Sequence, residues 1–554
     1  MKAYTNGKIY TVNENRDWAE AVVIDGNRIA YVGDNAGAAA FIEREQTEGR
    51  AAEVVDLEGK LMLPGLIDGH CHPVMGAFFK SGVVLNGIYT LEGMQEEIRK
   101  HIEAHPGKKY YHGKGFQEEY FIQNGIWPDK SMLDCICDDV PVFIYGTSGH
   151  VAWCNSCALE KAGITADTPD PHPGRSYFAR DEEGNPTGYL VENMAASTVS
   201  DRVEVIDEEE VNASMLELSE EYAANGVTGL CDMGGLGEML NYMKDGFLDF
   251  VKSGKLKQRF SGCGVMVNSI GEVDDGIALA KELSKRAADK KVDNDQCRFS
   301  FVKMFQDGTL EDLTAAISAP YLNIGTAPKS FFTDEEMIEA GKKIAEAGFD
   351  INVHCIGDMA AHGLVVMTQS LRDAGFNDTR VTDSHSTYIH KGDVPKFGKL
   401  GILANTTFVW HAAFEEEKGI LPPELPPMYE LKSVLKGGAK IGAGSDYPTD
   451  DFGLEPMKGL QMGCTRKMYR DDLYPSAYEL APASEKLSMD DVITAYTISN
   501  AYQMRMEDKI GSIEVGKYAD MIILDRNVFE IPIEEVYQTK VCETIMNGET
   551  TYKA

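Results

Sequence analysis

The sequence predicts an α/β protein: a TIM (β/α)8 barrel, a small β-sandwich domain built from both chain termini, and an insertion between barrel strands 1 and 2. Three observations lead there. Eight strand-like segments recur between residues 61 and 446, several separated by amphipathic helical stretches; β-rich pieces stand at both ends of the chain; and the first interval in the series is far too long for one βα unit. At 554 residues the chain exceeds a single compact core. The expected division is 1–60 with 505–554 as the composite sandwich, 61–85 with 222–504 as the barrel, and 86–221 as an inserted segment that shapes a pocket. Strand counting alone also admits a doubly wound open sheet.

Taken in order, residues 8–57 read as short strands: Lys8–Val12, Ala21–Ile24, Ile29–Val32 and Glu53–Leu57, with the turn Asp25-Gly26-Asn27 between the second and third. Ile513–Leu524 and Val541–Tyr552 look alike at the far end. Neither terminal piece has enough apolar surface for a stable sheet alone, so the two are expected to pair. Between them, Leu61–His72, Val227–Met233, Arg259–Val267, Ser300–Phe305, Phe349–His354, Arg380–His385, Ile402–Asn405 and Lys440–Asp446 are the strand candidates. The stretch Thr333–Ala347 is an amphipathic helix with Thr333 placed as its cap. In the insertion, Tyr110, Tyr111, Phe116, Tyr120, Phe121 and Trp127 read mainly as core residues.

Composition narrows the function. The 53 basic residues against 88 acidic ones give a formal charge of −35, which repels polyanions and argues against nucleic acid or an anionic membrane as partner. A small molecule is the expected partner, and homo-oligomerisation is a fair prior. No stretch has the length of a membrane span, the start lacks a signal-peptide core, and the 11 cysteines show no paired framework, so the protein is expected in the cytoplasm with free thiols. Cys154 and Cys157 match Cys-x-x-Cys without a second pair and read as packed thiols.

The chemistry centres on His70-Cys71-His72. Side chains at i and i+2 of a strand share a face, so the two imidazoles can grip one cation; a bare His-x-His is also compatible with two surface histidines. Lys303, His354, His385 and Asp446 stand at the ends of later strands, separated by 51, 31 and 61 residues, which correspond to one, one and two repeats. Barrel strands converge their C-terminal ends on one face, which would gather all six residues there. Singly, Lys303 could serve a buried ion pair, His354 and His385 core packing, and Asp446 a helix cap. Together they point to metal ligation.

His70-Cys-His72, Val302–Thr309, Val353–Ala360, His385, Gly444–Pro448, Gly308–Ala316, His150–Ser156 and Gly511–Asp520 resemble the amidohydrolase superfamily, specifically its YtcJ-like branch (amidohydrolase family 3), which includes N-substituted formamide deformylase. The resemblance covers nearly the whole chain. It implies a metal-dependent hydrolase acting on a non-peptide carbon–nitrogen bond of a small molecule. His70, His72 and Asp446 would hold one divalent ion, Zn2+ by default, and His354 and His385 a second, with Lys303 bridging them as an N6-carboxylated lysine. Asp446 would shuttle the proton, and His150 would orient substrate or stabilise the oxyanion, its alternative being a structural histidine. Three positions depart from the branch's pattern: Cys71, Cys355, and Thr382-Asp-Ser before His385. Strand alternation turns both cysteines away from the metals. The same metal pair could also run an isomerisation, hydration or decarboxylation, and a non-catalytic metal- or ligand-binding protein is the remaining alternative.

Overall fold

A computed structural model describes residues 1–235, 239–415, 419–449, 454–470 and 472–554. All eight expected strands of the central unit are present: Leu66–Cys71, Val227–Asp232, Arg259–Gly262, Phe301–Phe305, Asp350–Cys355, Val381–His385, Ile402–Thr406 and Lys440–Ala443. Every paired neighbour along this series is parallel, which requires a crossover between strands. Helices supply those crossovers, among them Asp334–Glu346, whose N-terminus carries the anticipated cap: Thr333 Oγ1 accepts from Glu336 N, and Glu336 Oε2 accepts from Thr333 N.

The ladders form two parallel sheets rather than one closed ring. At one junction the chain itself crosses: Cys297–Phe299 pairs with Arg259–Gly262, and two residues later Phe301–Phe305 pairs with Asp350–Cys355. At the other, between Leu66–Cys71 and Lys440–Ala443, buried side-chain amides take the place of a ladder. Asn500 Nδ2 donates to Ile67 O at 2.6 Å and Ala443 O at 2.7 Å, while its Oδ1 accepts from Ala443 N at 3.2 Å. Gln503 and Asn405 donate to Gly69 O at 2.8 and 3.2 Å. The strand glycines make room: a Cβ on Gly69 would lie 2.4 Å from Asn500 Oδ1, and one on Gly442 2.7 Å from it.

Strands from the two terminal pieces share a six-stranded sheet, with a redistribution at the boundary. Leu61–Pro64, expected within the first barrel strand, is a separate strand between Lys8–Tyr10 and Met521–Leu524. Lys2–Thr5 and the helix Asn35–Thr47 were not anticipated. Ile513–Asp520 is irregular apart from a turn at Val515-Gly516 and an isolated bridge from Tyr518 to Arg28, and only Met521–Leu524 of that stretch is strand. Arg259 ties this region to the central unit through a buried two-pronged pair with Asp520, at 2.7 and 3.1 Å.

The insertion is a folded unit with a six-stranded mixed sheet and its own apolar cluster, which contains Tyr111, Phe116, Phe121 and Trp153. Tyr110 is buried in the main core, whereas Trp127 is 60% exposed beside Tyr189. Cys154 and Cys157 are free thiols, the first buried. No helix among the described residues is long and apolar enough to cross a membrane.

Two outcomes test this packing. Asn500→Ala leaves three buried backbone groups without partners, each costing about 1–3 kcal/mol; a urea midpoint unchanged by the substitution would show that the amide seam carries no weight. His112, stacked on Phe78 and donating to Phe78 O at 2.8 Å, is pushed down from 6.5 to about 4 by burial. Its unfolded form therefore binds a proton first, and stability falls as pH drops from about 6.5 towards 4, by about 3 kcal/mol in all. His112→Phe should remove that part of the acid slope in a pH series of thermal midpoints.

Candidate metal centre

His70 lies in the strand Leu66–Cys71, but His72 sits one residue past its end, at φ −128° and ψ 65°, as the residue leading into the helix Pro73–Lys80. Both imidazoles still reach the same carboxylate oxygen. His70 Nε2 is 3.2 Å and His72 Nε2 3.4 Å from Asp446 Oδ1. The ligand atoms of these three buried residues all lie within 4.8 Å of one another. Tetrahedral ligands about 2.0–2.1 Å from a zinc ion would stand about 3.3 Å apart, which fits these contacts. His72 Nδ1 bonds Gly234 O at 2.8 Å, so Nε2 is the nitrogen turned to the carboxylate.

The backbone forces this approach. His70 O accepts from both Ser445 N at 3.1 Å and Asp446 N at 2.7 Å, and Asp68 accepts from Ser445 N at 2.9 Å and Ser445 Oγ at 2.5 Å. A Cβ on Gly444 would lie 2.4 Å from His70 Cβ and 2.8 Å from His70 N, so only glycine permits the two chains to pass this closely. Asp446 and His385 both hold positive φ, 55° and 85°, a conformation that costs a non-glycine residue energy and recurs at functional sites.

His385 and His354 extend the cluster. The His385 ring is 4.6 Å from that of His70 and 4.5 Å from that of His354, and it stacks on Trp410. His354 stacks on Phe305, with Nε2 3.1 Å from Gly308 O. Lys303 is fully buried and its Nζ has no hydrogen-bond partner among the described residues; His70 Nδ1 and His385 Nδ1 are likewise without one. Three unpartnered buried nitrogens around one carboxylate suit a cation-binding centre.

Protonation states agree with that. Burial pushes His70 down to about 3 and holds His354 and His385 well below their usual value, so all three imidazoles are neutral near pH 7. Burial opposes ionisation of Asp446, yet the contacts from His70 and His72 keep its carboxyl well below the usual range. Neutral imidazoles beside an ionised carboxylate are the forms that bind metal. Burial draws the Lys303 amine down to about 8. His150 comes from the insertion, its ring 5.7 Å from that of His354 and its Nδ1 2.9 Å from Glu192 Oε2. Burial would lower it, but Glu192, with Asp312 and Asp446, raises it to about 9.

All seven residues singled out from the sequence thus stand in one neighbourhood, although only His70, His72 and Asp446 form a compact ligand set among the described residues. Cys71 is turned away from this cluster, its Sγ against Cys231 O. Sequence reasoning missed Asp68, Glu192 and the Gly234 carbonyl. Asp68 had a usable signal, since it lies two residues before His70; the other two had none.

The fold is of the TIM-barrel type with a candidate metal-binding cluster, and comparison with known proteins gives the family and with it the class, a metal-dependent hydrolase. A family model described as "Amidohydrolase family" matches residues 53–552, so the chain belongs to the amidohydrolase family, in its YtcJ-like branch. It is 25% identical to an N-substituted formamide deformylase of Arthrobacter pascens, over 99% of this chain and 97% of that one. It is 24% identical to the putative amidohydrolase YtcJ of Bacillus subtilis over the whole of both. A crystal structure of an uncharacterised metal-dependent hydrolase from Pyrococcus horikoshii superposes with a TM-score of 0.73 at 22% identity, covering 96% of this chain and 99% of that one.

Gly444→Ala should push the Asp446 loop off the His70 strand, lowering stability by about 1–3 kcal/mol and weakening metal uptake together. A variant with wild-type thermal midpoint and metal content would show that the close approach does not set the ligand geometry.

Proposed function

We propose that the protein hydrolyses a non-peptide carbon–nitrogen bond of a small amide- or formamide-like substrate. The observation that carries this reading is the convergence of His70, His72 and Asp446 within 4.8 Å. His70, His72 and Asp446 would hold one divalent ion, with Zn2+ the default for imidazole and carboxylate donors, and His354 and His385 a second. When bound, such an ion supplies Lewis acidity for a carbonyl oxygen and lowers the pKa of water to about 7. Lys303 as an N6-carbamate would bridge the pair; the support is its buried amine, drawn down to about 8, because the neutral form is the one that adds carbon dioxide.

The remaining steps belong to the chain's own side chains. Asp446 accepts the proton released by the attacking water on a carboxylate oxygen and passes it to the departing nitrogen. His150, held through Nδ1 by Glu192, has Nε2 left to donate to the oxygen that gains charge. The insertion that supplies both residues would exclude solvent from the reacting centre. We place the protein in the cytoplasm.

The test is metal analysis of wild type and Lys303→Ala beside a panel of formamides and simple amides. A bridged pair predicts loss of about half the metal together with activity in the variant. Unchanged metal content favours one ion, and full occupancy without turnover of any amide would refute the hydrolase reading for carbon–nitrogen bonds. His150→Gln should cost roughly 10²–10³ in kcat while metal content stays intact.

A further inference from the structure

Next to the His150–Glu192 pair lies a cleft whose polar groups are unspent. Its walls include His172, Arg175, Glu192, Asn193, Asn268 and Phe331, and its cavity volume is about 20 Å³. That suits one or two small polar atoms better than a bulky head group. Among the described residues Arg175 has no carboxylate in salt-bridge reach; its half-buried guanidinium stands 5.9 Å over the Phe331 ring and feels the charge of Glu336. Asn193 is only 7% exposed, yet its amide oxygen has no partner, and His172 Nδ1 has none either.

The same cleft receives the N-terminus of the helix Asn193–Val203. A helix start leaves N–H groups that a capping side chain ordinarily satisfies. Here the capping position is Glu192, and its side chain does not cap: the residue takes φ 65° and sends its carboxylate to His150. Ala195 N finds Ser176 Oγ and Glu192 O, whereas Asn193 N and Met194 N have no acceptor among the described residues. An uncapped 11-residue helix, an unpaired guanidinium and a buried amide with open hydrogen-bonding capacity therefore face one small space. Glu192 brings negative charge to its edge: Oε2 pairs with His150, while Oε1 is buried without a partner among the described residues, so an anion would bind on the Arg175 and helix side of the cleft.

We propose that this cleft is a carboxylate-binding subsite, with Arg175 as the specificity-determining residue, and that the substrate carries a free carboxylate some distance from the bond to be cleaved. The inference rests on the proposed hydrolysis of a carbon–nitrogen bond for the substrate's other end. Arg175 offers the planar fork that matches two carboxylate oxygens, the helix start offers N–H donors, and the Asn193 amide, whose oxygen is the unpartnered atom, can present its NH2 group by turning over about its terminal torsion. Glu192 then has two duties: it fixes His150 towards the metal centre and leaves the helix end open for an anion.

The experiment uses the metal-loaded full chain and N-formyl derivatives of glycine, β-alanine, 4-aminobutyrate and 6-aminohexanoate, each beside its primary amide, with calorimetric binding and turnover measured separately. At least one acid should exceed its amide in affinity, and Arg175→Gln should cut that acid-over-amide ratio by roughly 10–100-fold. Arg175→Lys should recover only part of it, and matching thermal midpoints control for folding. Equal binding of every acid and amide, or a ratio untouched by Arg175→Gln, overturns the proposal. So does inorganic phosphate binding in an Arg175-dependent way while no acid does. Arg175-dependent binding of an acid without turnover would keep the subsite and remove the hydrolysis reading; turnover of acids and amides at equal efficiency would do the reverse.

Discussion

The close passage of the first and last parallel strands is the constraint on which the centre depends. Asp446 reaches His70 and His72 because Gly444 has no side chain and His70 O binds two consecutive amides of the returning loop. Asp68 clamps the same loop from the other side through Ser445. Below that point the strands do not share a ladder; Asn500, Asn405 and Gln503 bridge them instead. A side-chain amide spans more width than a direct backbone pair. The seam thus sets the spacing at the level where the ligands project, and the glycines at 69 and 442 are the counterpart of that choice. Packing at the bottom of the seam and ligand geometry at its top are one problem.

Much of the fold was legible because the parallel strand and its crossover helix repeat, and the repeat spacing places Lys303, His354, His385 and Asp446 in phase. The seam was not legible, since isolated amides in apolar stretches carry no periodicity. Nor were the positive φ angles of His385 and Asp446, which tertiary packing imposes. The two imidazoles of His-x-His come together differently from the expected strand alternation: only His70 is in the strand, and His72 reaches Asp446 because the chain turns into a helix there. At the terminal boundary the interruption of the apolar run at Pro64-Gly65 is visible in the sequence, but not that Leu61–Pro64 and Leu66–Cys71 go to different sheets. The helix Asn35–Thr47 was missed because only Ala38, Ile42 and Glu45 are buried in it, too sparse a pattern to recognise.

The insertion links substrate recognition to catalysis by position in its sheet. His150 immediately precedes Val151, Glu192 immediately follows Val191, and those two valines are direct partners across an antiparallel pair. The ladder thereby delivers an imidazole and a carboxylate side by side at a strand end. The same strand end starts the helix that opens on the Arg175 cleft, so a shift in one pairing would disturb both.

The carboxylates around the centre explain why its charge state is tied to cation binding. Burial pushes Asp68, Asp232 and Asp307 up to about 7, and Asp383 well above its usual value. Asp446 alone among these five is held well below it. With values of about 7, Asp68, Asp232 and Asp307 are about half ionised at neutral pH, beside an ionised Asp446, neutral imidazoles and a lysine whose charge is half relinquished near pH 8. A divalent cation entering that environment favours the ionised form of every acid near it and disfavours protonation of every imidazole. Binding should therefore release protons, and affinity should climb with pH across the range in which these groups titrate. A bound cation would draw the half-ionised acids Asp68, Asp232 and Asp307 further towards their charged forms, so that they balance part of its charge.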